Sequence, residues 1–405
     1  MNRKEFLNEL DIKITNLYNM FNENPKNLEN HEYPEFYSCR YHTEIKFTND
    51  KEVNAFNEIV NFVLAYDKFH EIFSEYNISE QIIQLIHKTM NNNKESYKYI
   101  ESLYEDLIDT SNMEWYIISE IDDIDIQNIH SVKIINCTIK ILESSDLPFS
   151  NKNIYQDYIG KPCIITYVKA GDSEKARSIA LNRFSICFNL LRLCTHSFKP
   201  SVKGVIVLGN RDLIIWNNSR KNAYGTIKPS LDNLCDSEGN KVILKSAVKL
   251  SNLLCAKLEK LGVQYLSTVT PISSVVKDCL YWFGLGLDVT MESAKLLNFT
   301  TVLECALKKS DENTELKQRI SDRCAFLLGD DYETRVKIHN DISFIYKERS
   351  KVVHQGSMIK DKDRNTVNLA GSYAQRVLMK LIQENNRLNG DFSKFICEID
   401  EKKFA

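Results

Sequence analysis

Residues 346–356 read Tyr346-Lys347-Glu348-Arg349-Ser350-Lys351-Val352-Val353-His354-Gln355-Gly356, which puts an arginine, a serine and a histidine inside six residues. A helix turns about 100° per residue, so Ser350 and His354 stand one turn apart, about 40° from each other. Arg349 lies about 100° from Ser350 on the other flank, and all three can line one side of a groove. A guanidinium keeps its charge and grips phosphate oxygens through two N–H groups, while an imidazole gains and loses protons near neutral pH. The combination suits a site that holds a phosphate while a proton moves. The same residues also fit an ordinary helix end, where basic side chains and a following glycine suit the dipole and the cap.

The elements that must position this stretch are helices. From 271 onward the apolar period predicts helices over 275–287, 294–307, 315–328 and 332–353, with Gly284 and Gly286 weakening the end of the first. Short connections favour antiparallel neighbours, so the expectation is an up-and-down bundle with a last helix, 367–383, packed across it. A charged path, 357–364, follows His354 directly.

The region 272–356 resembles the Apea-like HEPN domain, a helical ribonuclease family. The matching blocks are Leu280-Tyr281-Trp282-Phe283, then Val302-Leu303-Glu304-Cys305-Ala306-Leu307, then Arg323-Cys324-Ala325-Phe326-Leu327-Leu328-Gly329. The last is Tyr346 with Arg349-Ser350 and Val353-His354, where Arg and His with four residues between them match the family's catalytic signature. Gln355 separates His354 from Gly356, where the family has His directly before Gly. The resemblance implies a metal-independent endoribonuclease with Arg349, His354 and Ser350 as catalytic residues. It implies Glu304, Arg323 and Tyr346 in support, and Lys347 and Lys351 as RNA-binding groups. Glu304 in a bundle can pair with Arg349 or with Arg323, or it is a plain surface residue. His339 has no such match.

In such a reaction the RNA 2′-hydroxyl attacks the adjacent phosphorus. It needs a base for that hydroxyl, an acid for the leaving 5′-oxygen and positive charge on the phosphorane oxygens. His354 can be base or acid, Arg349 can stabilise charge, and Ser350 can orient the ring or bond a phosphate oxygen. One histidine is short for two-sided work, and the resemblance supplies the rest. Family members dimerise about a two-fold axis, which implies a homodimer or a larger even-numbered assembly. They also serve as toxin-like effectors of anti-phage defence by abortive infection. The partners implied are RNA, with tRNA as a substrate, and a phage-derived trigger or regulatory protein. A non-catalytic HEPN scaffold that binds RNA or a partner protein is the alternative.

Composition bounds these readings. The chain has 405 residues, 43% of them hydrophobic and 26% charged, ordinary for a soluble globular protein of two or three domains. A formal net charge of −3 announces no global basic field, so an RNA site has to be local. Residues 335–364 carry eight Lys/Arg against four Asp/Glu, whereas 271–405 are nearly balanced at 21 against 20. The 11 cysteines include no CxxC or Cys/His cluster, which argues against a zinc site and for reduced thiols in a cytoplasmic protein. Neither a cofactor nor a metal is expected. No apolar run is long enough for a signal peptide or a membrane span.

The fold class expected is α+β and mostly helical, with a C-terminal antiparallel helical bundle preceded by an α/β module and a helical N-terminal region. The boundaries are 1–155 for the N-terminal region, 156–268 for an α/β sensing or binding module, and 269–405 for the HEPN bundle. Within the first, 1–30 and 52–109 have helical spacing, 41–47 and 131–141 alternate as strands, and 115–126 reads as an acidic polar edge. His70 and His87 have no second histidine at ligand spacing. In the middle module 163–168 is a strand and Asp172 is the N-cap of a helix running to about Cys194. Residues 205–208 and 213–216 form a hairpin, 217–240 a polar loop, and 248–261 a helix ending at Gly262. Arg177, Arg183 and Arg192 are expected on the exposed face of the middle helix.

Overall fold

The computed structural model describes residues 1–23, 47, 49–91, 96–122, 124–126, 129–146, 158–195, 201–209, 213–216, 248–309, 312, 315–359 and 364–403. The loop expected at 217–240, the strand at 41–47 apart from Phe47, and positions 360–363 after His354 lie outside the described residues. The chain is α+β and mostly helical. Among the described residues its strands form one sheet of order β3-β4-β5-β1-β6-β7 and a two-stranded pair, β2-β8. These strands are β1 Glu114–Asp122, β2 Ile124–Ile126, β3 Ser131–Ile134, β4 Cys137–Ile141, β5 Pro162–Lys169, β6 Ser201–Gly209, β7 Leu213–Trp216 and β8 Val248–Leu250.

Three expectations about strands need correction. The run 115–126 is not a polar edge: β1 buries Trp115, Tyr116, Ile117, Ile118, Ser119 and Ile121 in an interior position of the sheet. A strand covered on both faces does not alternate, which hides it from a period-2 reading. The single strand expected at 131–141 is a hairpin, in which β3 and β4 pair antiparallel with Ile134 opposite Cys137. Its turn places Ile135 at φ 53, a left-handed conformation that no glycine or asparagine signals at that position. Residues 248–250 are not helical either; they form β8, parallel to β2, and the helix starts behind the Ser251 cap.

The chain divides into two units. One comprises Met1–Ile118, Tyr167–Ala180 and Val205–Asn217. Its helices are α1 Arg3–Glu23, α2 Asp50–Ala65, α3 Phe69–Ile72, α4 Glu75–Asn91 and α5 Ser96–Thr110. Their apolar stripes close a core around Phe6, Leu10, Ile14, Phe56, Val63, Phe69, Ile82, Ile86, Ile100 and Leu107. Asp172 is the N-cap expected, accepting from Lys175 N–H at 2.9 Å, and it also accepts the Ser74 N–H at 2.7 Å and the Ser74 hydroxyl at 2.9 Å. Ser74 in turn accepts from Asn77 N–H at 3.1 Å, so one carboxylate organises two helix starts. A Cβ at Gly171 would come within 2.1 Å of the Phe73 ring, which explains the glycine there.

The other unit comprises Ser119–Thr166, Leu181–Gly204 and Asn218–Ala405. It contains α7 Asn252–Leu261, α8 Pro271–Asp288, α9 Glu292–Leu307, α10 Leu316–Leu328, α11 Tyr332–Gln355, α12 Arg364–Arg387 and α13 Phe392–Glu401. The first bundle helix starts earlier than its apolar period suggested, because Thr270 forms a capping box with Ser273 and Pro271 occupies the first turn. Helix α8 packs on α9, α10 on α11, and α12 against α9 and α8. Gly284 and Gly286 do not weaken the end of α8. A Cβ at either would come within 2.5 Å of Asn189 or 2.6 Å of Phe299, so these glycines permit close packing. Helix α13 was not expected; it follows the turn through Asn389 and Gly390, both at positive φ.

The middle helix, α6 Ser173–Thr195, ends among the bundle helices of this unit. Arg192 is buried rather than exposed, with two donors on Asp288 at 2.8 and 3.1 Å. Gln375 donates to the Leu193 carbonyl at 2.6 Å and Lys257 to the Cys194 carbonyl at 2.7 Å, which caps the last turn. Arg183 is half-buried beside Thr166 at 3.2 Å, and burial pulls its guanidinium below the usual range. Arg177 is half-buried too and lies 3.8 Å from Glu174. No helix among the described residues is long and apolar enough to cross a membrane.

Candidate active site

Helix α11 carries the stretch 346–355. It starts at Asp331, whose side chain accepts the Thr334 N–H at 2.8 Å, and ends at Gly356 in the left-handed conformation, φ 61. Ile338, Ile342 and Ile345 are its buried stripe, and Arg349, four residues after Ile345, continues that stripe. The guanidinium therefore turns toward α9, where its Nη2 lies 3.3 Å from Glu304 Oε1. Arg349 and Glu304 retain 30% and 19% side-chain exposure, so the pair sits at the rim of the bundle.

Tyr346, one turn before Arg349, is buried. Burial and the neighbouring Glu304 carboxylate push its phenol well up, with Arg349 opposing. Tyr346 Oη, Glu304 Oε1 and Arg349 Nε are all out of water, yet none has a well-aligned hydrogen-bond partner among the described residues. Three polar groups thus share a small volume with unused hydrogen-bonding capacity, which is uncommon in a folded interior.

Ser350 and His354 lie on the outer flank, both exposed, one turn apart as the spacing predicts. Five positions on a helix separate Arg349 from His354 by about 140°. The structure brings Arg349 to Glu304 and does not bring it to Ser350 or His354 within one chain. Lys347 is exposed on the same outer flank, and Lys351 is paired with Glu348 at 2.6 Å.

Arg323 stands elsewhere. It is buried on α10 and does not meet Glu304. Its donors go to Glu312 at 2.6 and 2.7 Å, to Asp400 at 2.8 and 3.0 Å, and to the Leu307 carbonyl at 2.7 Å. The hydrogen bond from Arg323 holds the Glu312 carboxyl down at about 2. Burial alone would lower the Arg323 guanidinium, but the two carboxylates raise it above the usual range. This cluster ties α10 to the end of α9 and to α13. Glu312 and Asp400 were not anticipated as its partners, and Asp400 lies 77 residues from Arg323, beyond any local signal. His339 faces Asp322 at 3.4 Å, away from the stretch 346–355.

Among the described residues no group of three or more His, Cys, Asp or Glu side chains is arranged to hold a metal. A cleft of about 800 Å³, lined by His70, Phe73, Ser74, Tyr76, Glu80 and Lys175 among others, belongs to the unit that begins at Met1 and contains none of the candidate site residues. No protein-family model, curated protein or solved structure matches the chain.

Proposed function

We propose that the chain is a metal-independent endoribonuclease of the HEPN type, which cleaves RNA by attack of the 2′-hydroxyl on the adjacent phosphorus. The observation that carries this reading is at the end of α11. Ser350 and His354 are exposed together there, on the same helix as an arginine whose Nε–H has no well-aligned partner among the described residues. A bond forms from the 2′-oxygen to phosphorus, the bond to the 5′-oxygen breaks, and one proton leaves the nucleophile while another reaches the leaving group. His354 serves one of these transfers, Arg349 stabilises the phosphorane charge, and Ser350 orients the ring or a phosphate oxygen. Lys347 and Lys351 attract the RNA backbone.

One chain offers a single histidine here, and it lies about 140° around the helix from Arg349. A homodimer with the outer flanks of α11 facing across a two-fold axis brings two His354–Ser350 pairs to one cleft, with an Arg349 at the rim of each bundle. tRNA is a fitting substrate and a toxin-like role in anti-phage defence a fitting context, with the other unit receiving a trigger. The same angular separation also favours a second reading, a non-catalytic HEPN scaffold that binds RNA or a partner protein.

Purified protein incubated with total RNA in EDTA separates the two. Cleavage should continue and leave a 2′,3′-cyclic phosphate and a 5′-hydroxyl, and His354→Ala should reduce it by roughly 10²–10⁴-fold. Magnesium dependence, a 5′-phosphate product, or full activity in folded His354→Ala would defeat the nuclease mechanism. Absence of cleavage with retained RNA binding would select the scaffold.

A further inference from the structure

Arg349 is held in a way that invites exchange. Its contact with Glu304 is a 3.3 Å approach at the bundle rim, and among the described residues neither Glu304 Oε1 nor Arg349 Nε is well hydrogen-bonded. An ion pair of this kind contributes little. A phosphodiester offers two coplanar acceptors that match the guanidinium fork, and so competes well with a one-point carboxylate contact. The obstacle to exchange is the partner left behind, because a half-buried carboxylate without a cation is costly. The Tyr346 hydroxyl is buried beside that carboxylate, near enough for the contact to help push its phenol up, yet the two are not well aligned.

We infer that Glu304 and Tyr346 form a two-state latch on Arg349. In the closed state Glu304 keeps the guanidinium turned into the bundle, away from His354. In the open state Arg349 swings to an RNA phosphate on the outer flank, and the Tyr346 hydroxyl turns from its poorly aligned contact to donate squarely to Glu304. Both act through Arg349 and are positioning residues. The account of the open state rests on the phosphate-binding reading of Arg349; the closed state rests on the geometry alone.

Two measurements on the full-length protein test this. One is the rate at which phenylglyoxal modifies Arg349, read by peptide mass spectrometry with buried Arg323 as a slow internal reference. The other is affinity for a 2′-O-methyl RNA oligonucleotide, which cannot be cleaved by the proposed route. Glu304→Gln should speed Arg349 modification and tighten the oligonucleotide by about five-fold or more, a usual size for coupling between two states. Tyr346→Phe should weaken the oligonucleotide by a similar factor. In the Glu304→Gln background it should change nothing, because Tyr346 acts only through the carboxylate.

Unchanged or slower modification of Arg349 in folded Glu304→Gln, or an equal Tyr346→Phe effect in both backgrounds, would overturn the latch. Should Glu304→Gln fail to fold, Glu304→Asp draws the carboxylate back and should move both readouts the same way. If Arg349→Ala binds the oligonucleotide as well as the wild type, the phosphate-binding reading falls. The modification rates then decide the closed state by themselves.

Discussion

Two arginine–carboxylate clusters occupy the same helical bundle and are built in opposite ways. Arg323 is 5% exposed and spends its donors on two carboxylates and a carbonyl. Arg349 is 30% exposed, touches one carboxylate at 3.3 Å, and has an Nε–H with no well-aligned partner among the described residues. A saturated guanidinium fixes elements in place, since every donor lost leaves a buried charge uncompensated. An undersaturated one at a rim is cheap to move and has capacity for another acceptor. Fixing structure and keeping a group free to exchange partners therefore call for different surroundings, and these two residues show both within 26 positions of one chain.

The comparison breaks most directly on stability. Arg323→Ala should cost about 3–5 kcal/mol, because Glu312 and Asp400 lose their shared cation and Glu312 stays buried. Arg349→Ala should cost no more than about 1 kcal/mol, the range of partly exposed pairs, because the Tyr346 hydroxyl can take over the Glu304 carboxylate left behind. Urea unfolding of both variants measures this, and equal losses would show that the two clusters do the same task.

Acid sharpens it. The Glu312 carboxyl is held down at about 2 by Arg323. A depressed carboxyl contributes stability that is fully present above the ordinary carboxylate range and is lost as pH falls toward about 2. The wild type should therefore lose stability steeply between roughly pH 4.5 and pH 2. Glu312→Gln should be less stable at neutral pH and show a shallower acid slope. A slope identical to the wild type would mean that other carboxylates govern the acid limb.

How much of this was legible depends on which physical signal each element leaves in the chain. Helices α8 to α12 have a long apolar stripe on one face and were readable to within a few residues. Strand β1 was not, because its burial on both faces erases the alternation, and the β3–β4 turn hides behind an isoleucine at φ 53. The Arg–Ser–His spacing could be read locally, whereas Glu304 stood out only through the resemblance, which left Arg349, Arg323 or plain solvent open as its surroundings. The orientation of Arg349 could also have been read, since Ile338, Ile342 and Ile345 define the buried stripe on which it falls. The Arg323 cluster could not, because it joins three segments distant in sequence, and only their folding brings Asp400 to α10.

The smallest effect is the most diagnostic of the Arg349 cluster. Removing a well-bonded buried hydroxyl usually destabilises a protein by about 1 kcal/mol or more, because its partner is left unsatisfied. The Tyr346 hydroxyl has no well-aligned partner among the described residues, so Tyr346→Phe strands nothing and spares a desolvated donor. The ring that fills the space is unchanged, so no cavity opens. Tyr346→Phe should therefore be neutral or more stable by up to about 1 kcal/mol, read as an unchanged or raised midpoint in urea. A loss above about 1 kcal/mol would mean that the hydroxyl already bonds Glu304 firmly in the resting chain. Arg349 would then be held by a settled network like that of Arg323, and the contrast between the two arginines would shrink to a difference in exposure.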